Sequence, residues 1–252
     1  AGVIEKEVDT ISTRPFDPFF LSEEGKKVYL EDVKDYWKNK CVLDRWNLML
    51  PGDVRRLRAN GAIFIDRKAV RGYGETTVDW RMIINKGIGA LKKEAEEALS
   101  KLDDAVPGDL EKSFFYRAEI MAADAIIHLS HRHADLAEQM AAECADEKRK
   151  AELLKIAEVC RWVPENPART FYEACQSMLT YEYACFMEQN ASSYNIGRVD
   201  QYLYPFYKAD KEAGILTDDD AQELLDCLWI KIAEMSLFQD EVTAQYAAGY
   251  CI

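Results

Sequence analysis

Proline (7) and glycine (12) are scarce in these 252 residues, which excludes collagen-like and glycine/serine-rich linker classes. Long apolar runs are missing too. No stretch of about 18 uncharged apolar residues occurs, so no segment is expected to span a membrane. The opening Ala1-Gly2-Val3-Ile4-Glu5-Lys6-Glu7 lacks a basic region followed by an apolar one, which argues against a secretory signal. Positive charge is in deficit. Against 45 Asp+Glu stand 32 Lys+Arg, a formal charge of −13, and a nucleic-acid partner would select a basic stripe instead. CxxC pairs are absent from the seven cysteines, Cys41, Cys144, Cys160, Cys175, Cys185, Cys227 and Cys251. Neither a zinc knuckle nor a disulfide framework fits them, and they read as small buried hydrophobes in a reducing cytoplasm.

What is present is a core-forming chain. Its 48% hydrophobic content excludes a disordered acidic tail, and its length suits one large domain or two small ones. No internal repeat or linker divides it, so residues 1–252 are taken as a single region. Helix dominates and strand signals are few and short. Pro15 and Pro18 predict an extended stretch near the start. Ser22 is placed to N-cap a helix running to about Lys40, carrying Val28, Val33 and Trp37 on one stripe. Asp53 to Asn60 reads as a short basic helix stopped by Gly61. Further helices are expected over about 86–103, 109–145, 147–162 and 170–188, with Trp162-Val163-Pro164-Glu165-Asn166-Pro167 as a firm break. In the third, Leu110, Phe114, Ala118, Met121, Ala125 and Leu129 follow helical spacing. Thr217 with Asp220 opens a last helix in the manner of a capping box, with Ala221, Leu224, Leu225, Leu228, Trp229 and Ile232 as its buried face.

Three constellations are candidates for chemistry. Asp124, His128, His131 and Asp135 share one helix face and have the donor types for a metal. The plainer reading, a polar stripe paired along the helix surface, is preferred, and no metal site is assigned. The loop Arg71-Gly72-Tyr73-Gly74-Glu75 sets a guanidinium, suited to a carboxylate or sulfonate, four residues before a carboxylate. Its glycines allow backbone to approach a ligand closely. The loop Asn190-Ala191-Ser192-Ser193-Tyr194-Asn195 offers small hydroxyls and amides that suit either a polar pocket or ordinary turns.

Gly197-Arg198-Val199-Asp200-Gln201-Tyr202-Leu203-Tyr204-Pro205-Phe206-Tyr207 resembles the GR-x-DQ-x-x-x-P-[FY]-Y segment of glycyl radical enzymes. The helix from Ala221 to Lys231 resembles the one that follows in that family. Thr10-Ile11-Ser12-Thr13-Arg14-Pro15 and Trp37-Lys38-Asn39-Lys40 are similar to its N-terminal half. The branch resembled is that of the eliminases: diol dehydratases, choline and hydroxyproline enzymes, and isethionate sulfite-lyases. The resemblance implies part of a ten-stranded α/β barrel. It implies a glycyl radical installed by a separate radical S-adenosylmethionine activase, with no cofactor bound, a cytoplasmic homodimer, and a small-molecule substrate.

The family's Gly-Cys-Val-Glu loop and radical glycine loop have no match here. No catalytic residue is therefore assigned, and the chain is expected to be the N-terminal part of a longer polypeptide, inactive alone. Substrate-binding residues are assigned by resemblance to Arg71, Glu75, Ser192 and Ser193. Isethionate sulfite-lyases carry an arginine where Arg71 stands and a glutamine four residues on, where this chain has Glu75. Diol dehydratases carry a histidine in place of Glu75. C–S cleavage of a hydroxyalkylsulfonate is thus the favoured expectation. Dehydration of glycerol or propanediol by C–O cleavage is the alternative. A non-catalytic helical binding or assembly module is the rival outside enzymes.

Overall fold

The computed structural model describes residues 2–63, 77–103, 105–189, 195–235, 241, 244 and 245, which fall into two compact units. Helices account for nearly all the regular structure. Among the described residues the extended structure amounts to one isolated parallel bridge, Thr77 with Asn195, fewer strands than expected.

The first unit comprises residues 1–76, 189–194 and 235–252. Its described helices are α1 (Gly2–Glu7), α2 (Glu23–Val28), a π-helical turn (Tyr29–Val33), α3 (Lys34–Trp37), α4 (Val42–Met49) and α5 (Gly52–Ala59). Ser22 caps α2 as expected, its Oγ accepting the Gly25 N–H at 3.0 Å. The helix expected from there to about Lys40 is present as a continuous helical run from Glu23 to Trp37, with the π-helical turn inside it. Gly61 ends the α5 region in a left-handed conformation (φ +73°), which glycine adopts without a Cβ clash. The non-helical stretch around Pro15 is tied down by Arg14. Its buried guanidinium donates to Glu7 at 2.8 Å and to the Asp17 carbonyl at 2.9 and 2.6 Å. Glu7 also accepts the Glu241 N–H at 2.9 Å, which joins the two ends of the sequence within this unit.

The second unit comprises residues 77–188 and 195–234. It holds α6 (Trp80–Lys86), α7 (Ile88–Leu99), α8 (Asp109–Glu143), α9 (Glu147–Trp162), α10 (Phe171–Gln189), α11 (Val199–Tyr202), α12 (Tyr204–Glu212) and α13 (Asp218–Ala233). Pro164 and Pro167 follow α9 as expected, because proline cannot continue the ladder. The helix expected over about 86–103 is present as α7, and a further helix not expected from the sequence, α6, precedes it from Trp80 and ends at Gly87. There φ is +79°, and a Cβ would sit 2.4 Å from the Glu165 carbonyl oxygen. That close approach lets Ile88 and Gly89 donate to the Pro164 and Glu165 carbonyls at 2.8 and 2.9 Å.

The 35-residue α8 packs on α7 and α9 through small residues. Ala134 and Ala137 meet Ala157 and Cys160, with Ile156 alongside. Nearer its N-terminus, Ala123 joins Ile83 and Ile88, backed by Ile126, Ile127 and Tyr181. The spaced stripe read from the sequence is not the packed one: Leu110, Phe114 and Met121 are exposed. The α13 face is borne out at Ala221, Leu228 and Ile232, while Trp229 is exposed. The capping box of Thr217 and Asp220 is present. Cys160 and Cys175 are buried as expected; Cys227 is exposed, because it sits on the outer face of α13.

Candidate functional site

Arg71, Glu75, Ser192 and Ser193 lie outside the described residues. The described chain resumes at Thr77 after the first pair and at Asn195 after the second, and these two residues form the parallel bridge. Asp79 caps α6 by accepting the Met82 N–H at 3.1 Å, which fixes where the helix starts and so where Trp80 sits. The Trp80 ring is 2% exposed, edge-on to Tyr181 at 5.9 Å and tilted against Tyr202 at 6.3 Å. Its Nε1–H donates to the Asn195 carbonyl at 3.3 Å. The next carbonyl along, Ile196, accepts the Tyr202 hydroxyl at 2.7 Å. Asn195 Oδ1 accepts the Gly197 N–H at 2.7 Å, a turn that needs the left-handed φ of +64° at Gly197. At the rim, Arg198 pairs with Asp200 at 2.9 and 2.8 Å, and Arg81 donates to Gln201 at 3.0 Å.

Behind this junction runs α10, the most buried helix of the unit. Asp210 accepts the Phe171 N–H at its start, at 2.7 Å. Glu182, midway along, is 0% exposed, and neither carboxylate oxygen has a hydrogen-bond partner among the described residues. Burial raises its pKa from 4.5 to about 7, since an ionised carboxylate is poorly solvated there. Burial and then the Glu182 charge push the Cys185 thiol up to about 11 and the Tyr202 phenol upward as well. Burial alone sends Cys175 to about 12 and raises Cys160. Tyr202 therefore stays a protonated donor. These thiols stay protonated too, the opposite of what activates a cysteine nucleophile.

The histidine face resolves into polar contacts with neighbouring elements. Lys92 of α7 meets Asp124 at 2.6 Å, His131 lies 3.3 Å from Glu165, and Arg161 of α9 pairs with Asp135. The expected paired stripe is present, with its partners drawn from outside α8. Among the described residues, no group of three or more His, Cys, Asp or Glu is placed to hold a metal. No helix among them is long and apolar enough to cross a membrane.

Sequence reading missed Trp80, Tyr202 and Glu182 as members of one cluster. Tyr202 stood inside the Gly197–Tyr207 motif already singled out, and Trp80 stands five residues past the Arg71–Glu75 loop. Their convergence joins residues more than a hundred positions apart, which no local pattern encodes. Glu182 carried a weak signal, an acid set between Tyr181 and Tyr183.

The pyruvate formate lyase-like family model matches residues 1–252. The isethionate sulfite-lyase of Bilophila wadsworthia is 40% identical over 96% of this chain and 30% of its own length. Among solved structures, one on 1,2-propanediol dehydration in Roseburia inulinivorans superposes with a TM-score of 0.84, at 33% identity, over 99% of this chain and 30% of that one. The glycerol-bound B12-independent glycerol dehydratase of Clostridium butyricum gives 0.82, at 33% identity, over 99% and 31%. The chain thus spans about 30% of the length of the relatives it matches. With the motif, the family model and the backbone in agreement over its whole length, the chain belongs to the pyruvate formate lyase-like family.

Proposed function

We propose that the chain is the N-terminal part of a glycyl radical lyase that releases sulfite from a small hydroxyalkylsulfonate such as isethionate. The observation that carries this reading is the 40% identity to an isethionate sulfite-lyase across 96% of the chain, beside 33% to the two dehydratase structures. The presence of Arg71 supports it, because a planar guanidinium fork matches two sulfonate oxygens. Glu75 is assigned to the substrate hydroxyl, with Ser192 and Ser193 as further polar contacts. Residues 1–252 are read as one continuous region of the family's catalytic domain, contributing to its ten-stranded barrel.

The radical itself would supply hydrogen abstraction from substrate. The cysteines of this chain do not fit that role: none is followed by Val-Glu, and Cys160 and Cys175 are packed in helix interiors with raised pKa values. The thiyl cysteine and radical glycine are assigned to the rest of a longer polypeptide, a cytoplasmic homodimer activated by a separate radical S-adenosylmethionine enzyme. The part played here is to bind and orient the substrate in a site that excludes water.

In the full-length activated enzyme, Arg71→Ala should raise KM for isethionate roughly tenfold or more, the loss of a charge-assisted contact. An unchanged KM would remove Arg71 from the anion site.

A further inference from the structure

We propose that the outward face of α8 between Phe114 and Ala125 is a self-complementary docking surface, on which the same helix of a second copy of this polypeptide packs antiparallel. The inference rests on the homodimer reading given above. It deepens that reading by naming the helix and its register.

The argument starts from an apolar stripe that the unit's own core does not use. Phe114, Ala118, Met121 and Ala125 recur at intervals of four, three and four residues, the spacing that keeps one helix face toward a partner helix. All four are exposed, Phe114 at 63% and Met121 at 72%. The far side of the same turns is where α8 meets its unit: Ala123 is buried and packs on Ile83 and Ile88. The stripe is therefore left over once that contact is made. Large apolar side chains lined up in water on one face of a helix mark a surface that gains by being covered.

The order of residues along the stripe selects the occupant. Large and small alternate, Phe-Ala-Met-Ala. A second α8 laid antiparallel sets Phe114 against Ala125 of the second copy and Met121 against its Ala118, and the twofold repeats both contacts. Each bulky side chain then meets an alanine, which lets the helix axes come close. A parallel pair in register would instead stack Phe114 on its own mate and leave gaps at the alanines. The flanks agree with the antiparallel register. Arg117 and Asp124 lie on one edge of the stripe, seven residues apart, and the twofold turns that edge onto itself reversed. Arg117 thus faces Asp124 of the second copy. Arg117 is exposed and has no ion pair among the described residues. Asp124, held by Lys92 at 2.6 Å, keeps a side chain 56% exposed and has acceptor capacity to spare. On the other edge Phe115 comes against Ala122 of the second copy, again large on small.

The test uses the full-length protein before activation, with the parent carried through as a control for its native cysteines. Phe114→Cys and Ala125→Cys are combined in one chain and oxidised mildly. The double variant should give a disulfide-linked dimer on a non-reducing gel. Neither single variant should, because each new thiol lies about 16 Å along the helix from its own symmetry mate, too far to bridge. Arg117→Glu sets like charges together at both symmetry-related contacts and should raise the dimer dissociation constant roughly tenfold in analytical ultracentrifugation. Three outcomes overturn the proposal, and they are distinguishable. A monomeric parent ends the homodimer reading along with this surface. A dimer whose new thiols neither cross-link nor react with a maleimide until the protein is unfolded places the stripe under another part of the same polypeptide. A dimer with reactive thiols, no cross-link and a dissociation constant unmoved by Arg117→Glu removes this face and leaves the homodimer standing.

Discussion

Two glutamates on α10 are buried almost equally and live in opposite electrostatic worlds. Glu173, near the N-terminus, is 2% exposed, and its carboxylate is saturated. It accepts the Arg169 backbone N–H at 2.6 Å and the Arg169 Nε–H at 3.0 Å, while the guanidinium stacks on Trp162 at 4.2 Å. Glu182, about two and a half turns on, is 0% exposed and has no partner among the described residues. Burial alone therefore does not say what a carboxylate does; the donors around it decide. Glu173 acts as a charged staple where the loop after α9 turns into α10. Glu182 is a carboxylic acid whose pKa burial raises to about 7, close enough to Tyr202 to oppose its ionisation.

The larger of the two effects that would break this comparison belongs to Glu182. Its folded pKa is raised above the unfolded value, so its stabilising contribution is fully present below about pH 4.5 and is lost as pH rises through about 7. Glu182→Met should remove that slope and raise stability by about 3 kcal/mol at pH 8, measured by chemical denaturation across the range. A variant no more stable than the parent at pH 8, or a parent with flat stability from pH 4.5 to 7, would mean that Glu182 finds a partner after all. A smaller effect of opposite sign is expected at the staple. Glu173→Gln should lose about 2 kcal/mol at neutral pH, because Arg169 is half exposed and water replaces part of what it loses. A neutral outcome there would make the two glutamates equivalent.

Several helix ends were legible from local chemistry, although the cap at Asp79 was not. Ser22, the Thr217–Asp220 pair, Gly61 and the Pro164–Pro167 break all act through contacts within a few residues. The split at Gly87 was not legible, because it exists to admit the Glu165 carbonyl from a distant loop. The α8 stripe misled for a related reason. Helix–helix contact there is made by Ala134 and Ala137 against Ala157 and Cys160, whose small size permits close approach, while Phe114 and Met121 face outward. Hydrophobic spacing ranks residues by bulk and cannot see which face a partner will choose. At the site, the motif around Gly197-Arg198 named the family. The junction it builds with Trp80 is a tertiary fact joining residue 80 to residue 195.

The measurement that bears most directly on the proposed activity is product analysis with the full-length activated enzyme. Isethionate, dihydroxypropanesulfonate, glycerol and propanediol would be offered separately, with released sulfite and dehydration products quantified. The account predicts sulfite from isethionate at a kcat/KM at least a hundredfold above that for either neutral diol, about the discrimination expected when a guanidinium has an anion to hold. Dehydration of glycerol or propanediol with no sulfite from isethionate would contradict it.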